Sequence, residues 1–494
     1  MRNKIKSFIT KHPNITILAI SFLLGLITAI FSNQSSSIIY NLFPSTQYVN
    51  DQNMFYYMGE LLVSGKTPYL DFYDHKGPYI FYYTALGVML GGRIGMVLIQ
   101  TLLLTIFYNF FIKTLKLYEI KNSGIAAFSI VFAIVMIISG QSPSDFELNF
   151  PFMMIAIYYF IKGIKTDTDK YFLIGNFVNG VVAGISIHLR ATDAMVALAM
   201  VIYFAVRQII KKKFKILGLN GLVCIGGIII ASIVPVVHSL VGGYTSLMYE
   251  ACIINNVKYA SGSGQNHDEV FKIVCSCITA GIIVAVAITL FFLKKKDLMP
   301  LDEFLFYSIT LGISLVIELI IAFYLHYLII LLPIGLVFII RVMRPLFEFK
   351  HVGKITVASL FFLMVAACNI FPSINYNLYF PTDRAVNEFI QSTITKEDLN
   401  GKTLCYETSA AYYLNNDIVI SYPDFSVQSN HMPISSRYTL TTLKEYVNSD
   451  KCKYIILDNG YVGDSFTKWL INESGLTKIV STLEGSKYIS IYTK

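Results

Sequence analysis

The chain has 494 residues, of which 55% are hydrophobic and only 14% are charged, and its mean hydropathy is +0.59. A soluble domain carries about 25% charged residues, so this composition excludes the soluble globular class and predicts a polytopic α-helical membrane protein. The formal net charge of +8 does not indicate nucleic-acid binding, because most Lys and Arg residues lie at the ends of apolar runs.

About 11 apolar runs suit membrane spans, which need roughly 17–25 residues. The N-terminus is basic and then apolar, without a small-residue cleavage site, which predicts an uncleaved first span. The fourth run is short, and only His188-Leu189-Arg190 separates the fifth from the sixth. The predicted spans lie at residues 14–31, 93–112, 123–140, 149–161, 171–189, 191–209, 216–237, 272–293, 303–323, 325–341 and 355–371.

The distribution of Lys and Arg predicts the orientation of these spans. With a cytoplasmic N-terminus, the inner segments hold more than half of the 39 basic residues, including the clusters at 211–215 and 294–296. This arrangement holds only if the apolar run 78–90 does not cross the membrane. We therefore expect that run to be re-entrant or surface-lying, within a long first outer loop at residues 32–92.

The composition changes after residue 371, and residues 380–494 hold charged and polar residues at the frequency of a soluble domain. Strand-type runs alternate with helical patterns, which predicts a small extracytoplasmic α/β domain beside the membrane domain 1–371. Cys405 and Cys452 both fall in it, so a disulfide is possible there but is not implied. The predicted strands lie at 403–407, 417–421, 453–458, 478–482 and 488–492, and the predicted helices at 385–394, 440–449 and 465–474.

Acidic and basic residues from several segments are predicted at the outer boundary of the membrane. A charge inside a membrane helix costs about 2.5–3.5 kcal/mol on insertion scales, so such residues are functional candidates. A transporter is expected to place them nearer the midplane, whereas an outer cluster suits a reaction between a lipid-borne and an external reactant. The candidates are Asp51, Asp71, Asp74, His75, Lys76, Asp145, Glu147, Arg190, Asp193, Glu318, His326 and Tyr327.

The first outer loop reads VNDQNMFYYMGELLVSGKTPYLDFYDHKGP and resembles bacterial members of glycosyltransferase family 39. These are relatives of protein O-mannosyltransferases and aminoarabinose transferases in the GT-C superfamily. ELNFPF and HYLIILLP resemble weaker motifs of that group, and the resemblance covers roughly residues 1–370. It implies transfer of a sugar from a polyprenyl-phosphate donor to an acceptor at the outer face. Many relatives have Asp-Glu where this chain has Asp51-Gln52.

The resemblance and the chemistry together assign roles. The family's loop acid aligns onto Asp51, the expected general base, at the start of a segment whose apolar spacing predicts an amphipathic helix on the surface. Cations are expected to stabilise the departing phosphate, and the candidates are Lys76, Arg190 and His326. The apolar segment 79–90, whose aromatic run 79–83 has rings at 79, 81, 82 and 83, is expected to lie at the interface and to guide the prenyl chain. The supporting candidates are Asp74, His75, Glu147 and Glu318; no metal site, cofactor or nucleic-acid partner is predicted, and the acceptor is unknown.

Each assignment has a structural alternative. The alternative for Asp51 is a solvated acid in a loop. The alternative for Asp71 and Asp74 is that they order a turn, and Glu147 could form a capping box with Ser144. The alternative for Arg190 is a side chain that snorkels to the surface. The alternative for Glu318 is a carboxylate whose hydrogen bonds are satisfied by a neighbouring helix. Two other functions stay open, a transporter or flippase of lipid-linked sugars and a ligase or polymerase of surface glycans.

The charge asymmetry generates a test of the predicted orientation. Reporter fusions at Lys213 and at Lys494 should report opposite sides of the membrane, because five predicted spans, an odd number, separate these two positions. If both fusions report the same side, the arrangement with 11 spans is wrong.

Overall fold

The computed structural model describes residues 11–32, 50–120, 145–260, 299–320, 330–342, 344, 388–394, 401–408, 411–416, 418–425, 435–458, 463–482 and 488–494. The described chain is mostly helical and ends in a small sheet, which confirms the fold class at that level. The predicted spans 123–140, 272–293 and 355–371 lie outside the described residues.

Eight of the helices in the described residues, those at 13–32, 93–117, 145–166, 169–187, 194–210, 214–241, 301–320 and 332–342, overlap predicted spans. The helices are α1 (Pro13–Ser32), α2 (Asn50–Val63), α3 (Tyr79–Met89), α4 (Arg93–Leu117), α5 (Asp145–Thr166), α6 (Asp169–Ile187), α7 (Ala194–Ile210), α8 (Phe214–Val241), α9 (Thr245–Tyr249), α10 (Asn256–Ala260), α11 (Leu301–Ile320), α12 (Leu332–Val342), α13 (Ala411–Asn415), α14 (Leu440–Asn448) and α15 (Ser465–Asn472). A π-helical turn, Glu250–Asn255, links α9 to α10.

Among the described residues, four segments are long and apolar enough to cross a membrane: Arg93–Leu117, Asp169–Ile187, Ala191–Ile210 and Phe214–Val241. Helix α3 has 11 residues and is therefore about 16 Å long. A bilayer core is about 30 Å thick, so this helix is too short to span, as predicted for the run 78–90.

The fifth and sixth predicted spans are two helices and not one. Helix α6 ends where the amide of His188 donates to the carbonyl oxygens of Gly184 and Ile185. Arg190 is extended, with φ −145° and ψ 109°, and a single 3-10 turn precedes α7. Across the break, the Asn179 side chain donates to the Ala197 carbonyl over 2.8 Å, which ties α6 to α7.

Small residues set the contact between α6 and α8. A Cβ at Gly180 would lie 2.0 Å from the carbonyl oxygen of Cys224, and one at Gly227 would lie 2.2 Å from that of Phe177. Close approach of backbones through small residues is a usual way for membrane helices to pack, because lipid provides no hydrophobic force between them.

Ion pairs join the helix ends that the charge pattern places on one side; we call this the basic end. Arg207 at the end of α7 bonds Asp302 over 2.8 Å and Asp167 over 2.6 Å, and Arg341 at the end of α12 bonds Glu303 over 2.7 Å. The hydrogen bonds from Lys211 and Arg207 lower the pKa of the Asp167 carboxyl to about 2. The ends of α7, α11, α12 and the α5–α6 turn therefore lie together.

The C-terminal part carries the sheet. Its strands are β1 (Thr403–Tyr406), β2 (Tyr454–Asp458), β3 (Thr477–Thr482) and β4 (Tyr488–Thr493), in the order β1-β2-β4-β3. β1 pairs with β2 in parallel, and β4 pairs antiparallel with β2 and β3.

One predicted strand is not among the four observed strands, and Cys405 and Cys452 are unpaired. The described residues 418–421 of the predicted strand 417–421 belong to none of the four strands; instead the backbone there receives a bond from outside the sheet, since the Tyr57 hydroxyl donates to the Ile418 carbonyl over 2.8 Å. Cys405 and Cys452 are both free and buried. Burial raises the pKa of each of these thiols to about 12.

Helix α2 forms where the spacing predicts it, but it is buried on more faces than an amphipathic helix with one exposed face. Met54, Phe55 and Met58 are buried as expected, and Tyr56 and Tyr57 on other faces are buried as well. The ring of Tyr57 stacks on Tyr413 with centroids 5.4 Å apart. The correction has a physical reason: the C-terminal domain covers the side of α2 that the pattern leaves for water, and one continuous buried core joins them.

Candidate functional site

Two distant segments of the chain meet at the end of the bundle opposite the basic end. The amide of Gly77 donates to the Leu189 carbonyl over 2.8 Å, and the amide of Tyr79 donates to the His188 carbonyl over 3.1 Å. The break between α6 and α7 provides these acceptors, because its extended backbone makes no helical bonds there. We call residues 74–77, 188–193 and Asn149 the polar corner.

Gly77 is required by this contact. A Cβ at Gly77 would lie 2.1 Å from the carbonyl carbon and oxygen of His188 and 2.7 Å from the amide nitrogen of Leu189. All three are backbone atoms, so no side-chain adjustment relieves the clash.

Asp74 organises the loop side of the corner. Its carboxylate is buried and accepts the amide of Lys76 over 2.7 Å, which supports the alternative that it orders the turn. It also lies 3.8 Å from His75 Nδ1 and 3.9 Å from Lys76 Nζ. Lys76 Nζ lies 4.8 Å from the centre of the Phe55 ring in α2, a cation–π contact. Asp71 likewise accepts a backbone amide, that of Thr67, over 2.7 Å.

Arg190 is buried in an ion pair and does not snorkel to the surface. Its Nε and Nη2 donate to Oδ1 of Asp193 over 2.8 and 2.5 Å, and Asp193 is fully buried. Asn149, on the first turns of α5, donates to the Ser186 hydroxyl over 3.2 Å and also interacts with the Asp193 carboxylate. Three helices therefore fix this side of the corner.

The predicted phosphate-binding cations that the structure describes are both beside carboxylates. Arg190 pairs with Asp193, and Lys76 lies near Asp74. With His75 neutral, these four side chains sum to no net charge. The corner is therefore polar and internally balanced, and it is not a patch of uncompensated positive charge.

Asparagines that the sequence reasoning missed hold the loop from the opposite side. Asn256 donates to the His75 carbonyl over 2.6 Å and Asn255 donates to the Tyr73 hydroxyl over 2.8 Å. Tyr69 donates to the Lys76 carbonyl over 2.9 Å and lies 3.4 Å from Cys252 Sγ. Burial raises the pKa of the Tyr69 hydroxyl well above its usual range, so this donor stays protonated. Adjacent asparagines in the apolar stretch ACIINNV were the available signal.

The short helix α3 packs against α8 through polar aromatic groups. The Tyr82 hydroxyl lies 2.8 Å from His238 Nδ1, and the Tyr244 hydroxyl lies 2.6 Å from the same nitrogen. Tyr79 donates to the Ala231 carbonyl. These contacts begin directly after the Gly77–Leu189 bond, so the aromatic run 79–83 leads away from the polar corner along α8.

The other predicted site residues are described only in part. Asp51 and Glu147 lie in the first turns of α2 and α5, and Glu318 lies near the end of α11; their side chains, His326 and Ser144 lie outside the described residues. Within the described part of the chain, no group of three His, Cys, Asp or Glu residues has the arrangement of a metal site. Searches of protein-family models and of curated proteins found no match to this chain.

The contact at Gly77 generates the first structural test. Gly77→Ala should lower the free energy of unfolding by about 1–3 kcal/mol, because overpacking against fixed backbone costs that much. Thermal unfolding of the full chain in detergent measures it. Gly226→Ala in α8 is the control, since a Cβ there meets no described atom within 4 Å. Equal unfolding temperatures for the two variants would contradict a tight contact at Gly77.

The buried ion pair generates the second test. Arg190→Ala should lower the free energy of unfolding by about 3–5 kcal/mol, because it leaves the Asp193 carboxylate buried without its charged partner. Arg190→Lys should restore part of that loss, since an ammonium keeps the charge but not the two-nitrogen contact. Thermal unfolding gives the order of stability. An Ala variant as stable as the wild type would show that the Arg190–Asp193 ion pair does not stabilise this corner.

Proposed function

We propose that the chain is a membrane glycosyltransferase that moves a sugar from a polyprenyl-phosphate donor to an acceptor at the outer face, with Asp51 as general base. The observation that carries the proposal is the meeting of the DHKGP loop with the HLRATD break beside a short apolar helix. That meeting brings Asp74, Lys76 and Arg190 to one end of an apolar bundle, opposite the basic end.

The proposed topology completes this assignment. In it the chain has about 11 spans in a GT-C-like arrangement, a cytoplasmic N-terminus, and an extracytoplasmic C-terminal domain. Its support is that the helix ends rich in Lys and Arg are joined by ion pairs at the basic end, while the polar corner and the C-terminal domain lie at the other end.

The proposed reaction balances as a substitution at the anomeric carbon. An acceptor hydroxyl oxygen forms a bond to that carbon, and the bond from that carbon to the phosphate oxygen breaks. The hydroxyl proton passes to the Asp51 carboxylate, and polyprenyl phosphate leaves with the electron pair. Lys76, Arg190 and His326 are the proposed partners of the leaving phosphate, with Asp74, His75, Glu147 and Glu318 in support.

Asp51→Asn tests the assignment of the base. The change keeps the side chain's shape and removes its basicity, so turnover should fall by about 10²-fold or more while donor binding persists. The assay follows transfer from polyprenyl-phosphate sugars to cell-envelope acceptors, with donor binding measured on the same preparation. Asp71→Asn is the matched control, because that loop carboxylate accepts the Thr67 amide and an amide oxygen still accepts it.

The outcomes separate the alternatives. Normal turnover by a folded Asp51→Asn variant removes Asp51 as the base and directs attention to Glu147 or Glu318. Movement of the lipid-linked sugar without a new glycosidic bond indicates a flippase. Use of a diphosphate-linked oligosaccharide in preference to a monophosphate-linked sugar indicates a ligase or polymerase.

A further inference from the structure

We infer that the polar corner contains a subsite for the hydroxyl groups of a sugar, formed by Asn149, Thr192 and Asp193. The inference rests on the proposed function, because it takes the sugar to be that of the lipid-linked donor. The observation behind it is separate: three oxygen atoms at this corner are buried and lack hydrogen-bond partners in the structure. They are Oδ1 of Asn149, Oγ1 of Thr192 and Oδ2 of Asp193.

The orientation of the Asn149 amide is fixed by its neighbours. The Ser186 hydroxyl donates its proton to the Val182 carbonyl over 2.8 Å. It therefore accepts from Asn149, whose NH2 group faces it over 3.2 Å. The amide oxygen of Asn149 is left as the unsatisfied group, and it can only accept a hydrogen bond.

The close hydrogen bonds of the Asp193 carboxylate fall on one oxygen. Arg190 donates twice to Oδ1, and the Asn149 amide group also interacts with this carboxylate, but Oδ2 of this fully buried residue has no donor within hydrogen-bond distance. Thr192 is the adjacent residue in the same 3-10 turn. Leaving a buried polar group unsatisfied costs about 1–3 kcal/mol, so three at one corner indicate a partner that arrives from outside the chain.

The chemistry of the three atoms identifies the class of partner. Two of them accept hydrogen bonds and cannot donate, and a hydroxyl can do either. A phosphate group is an acceptor bearing negative charge, so it is disfavoured beside Oδ2 of Asp193. A sugar offers several O–H donors on one ring. Lys76 and Arg190, the proposed partners of the donor phosphate, belong to the same polar corner, beside Asp74 and Asp193 respectively.

Thr192→Val separates a binding role from a structural one. The change keeps the β-branched shape and removes the unsatisfied hydroxyl. If Thr192 has only a structural role, the variant should therefore be as stable as the wild type or more stable. In the subsite the same change weakens sugar binding. Thr310→Val is the matched control, since the Thr310 hydroxyl is also buried without a partner but lies in α11. Asn149→Leu, near in size, tests the second oxygen.

The experiment measures a ratio of dissociation constants on the full-length protein. The probes are polyprenyl-phosphate glucose, galactose and mannose, with polyprenyl phosphate lacking sugar as reference. We expect the wild type to prefer at least one sugar-bearing lipid, and each of Thr192→Val and Asn149→Leu to reduce that preference about threefold to tenfold, the value of one hydrogen bond. Affinity for the reference lipid should stay unchanged, and Thr310→Val should alter neither.

Each outcome decides the inference. A wild-type protein with no preference for any sugar-bearing lipid, or a Thr192→Val variant with an unchanged preference, overturns the subsite and indicates water at these atoms. A preference that the variants lose, in a protein that transfers no sugar, keeps the subsite and overturns the proposed enzyme. Failure of every lipid to bind overturns both.

Discussion

The structure depends on two backbone hydrogen bonds, from Gly77 and Tyr79 to the Leu189 and His188 carbonyls. They require an interrupted helix, because an unbroken α6–α7 helix would use those carbonyls internally. They also require a residue without a side chain at position 77. The loop that precedes α3, the short helix α3 itself and the ion pair of Arg190 take their positions from this contact, since each begins or ends within a few residues of it.

Much of the helical part could be predicted because apolar runs and positive clusters are local signals. The run 78–90 is too short to span. The runs 171–189 and 191–209 are together too long for one span, which predicts the break at His188. The predicted strands 403–407, 453–458, 478–482 and 488–492 correspond to observed strands. The pairing of Arg190 with Asp193 is also local, since three residues separate them. Asn149 and Asn256 could not be assigned, because their partners, the Ser186 hydroxyl and the His75 carbonyl, lie in distant segments of the chain and amide side chains have no spacing rule.

The position of the C-terminal domain is a long-range property that the sequence did not indicate. Tyr57 in α2 donates to the Ile418 carbonyl over 2.8 Å, and the Tyr73 amide donates to the Pro423 carbonyl over 2.8 Å. Arg437 donates to the Tyr69 carbonyl over 3.1 Å. The domain therefore contacts both the helix that begins beside Asp51 and the loop that carries Lys76. A pattern of apolar positions in α2 predicts one buried face, but it cannot show that a second domain covers the other.

The balanced charges of the polar corner suit catalysis better than tight binding in the proposed reaction. A lone buried cation is costly, and pairing with Asp74 or Asp193 offsets part of that cost before a donor arrives. A sugar phosphodiester brings one negative charge, whereas the departing monoester carries about −1.5 to −2 at pH 7. A cation already engaged by a carboxylate gains little from the diester and more from the product-like transition state. Interactions that strengthen only in the transition state raise the rate without holding the substrate tightly, so ion pairs such as Arg190–Asp193 are compatible with a site for transfer.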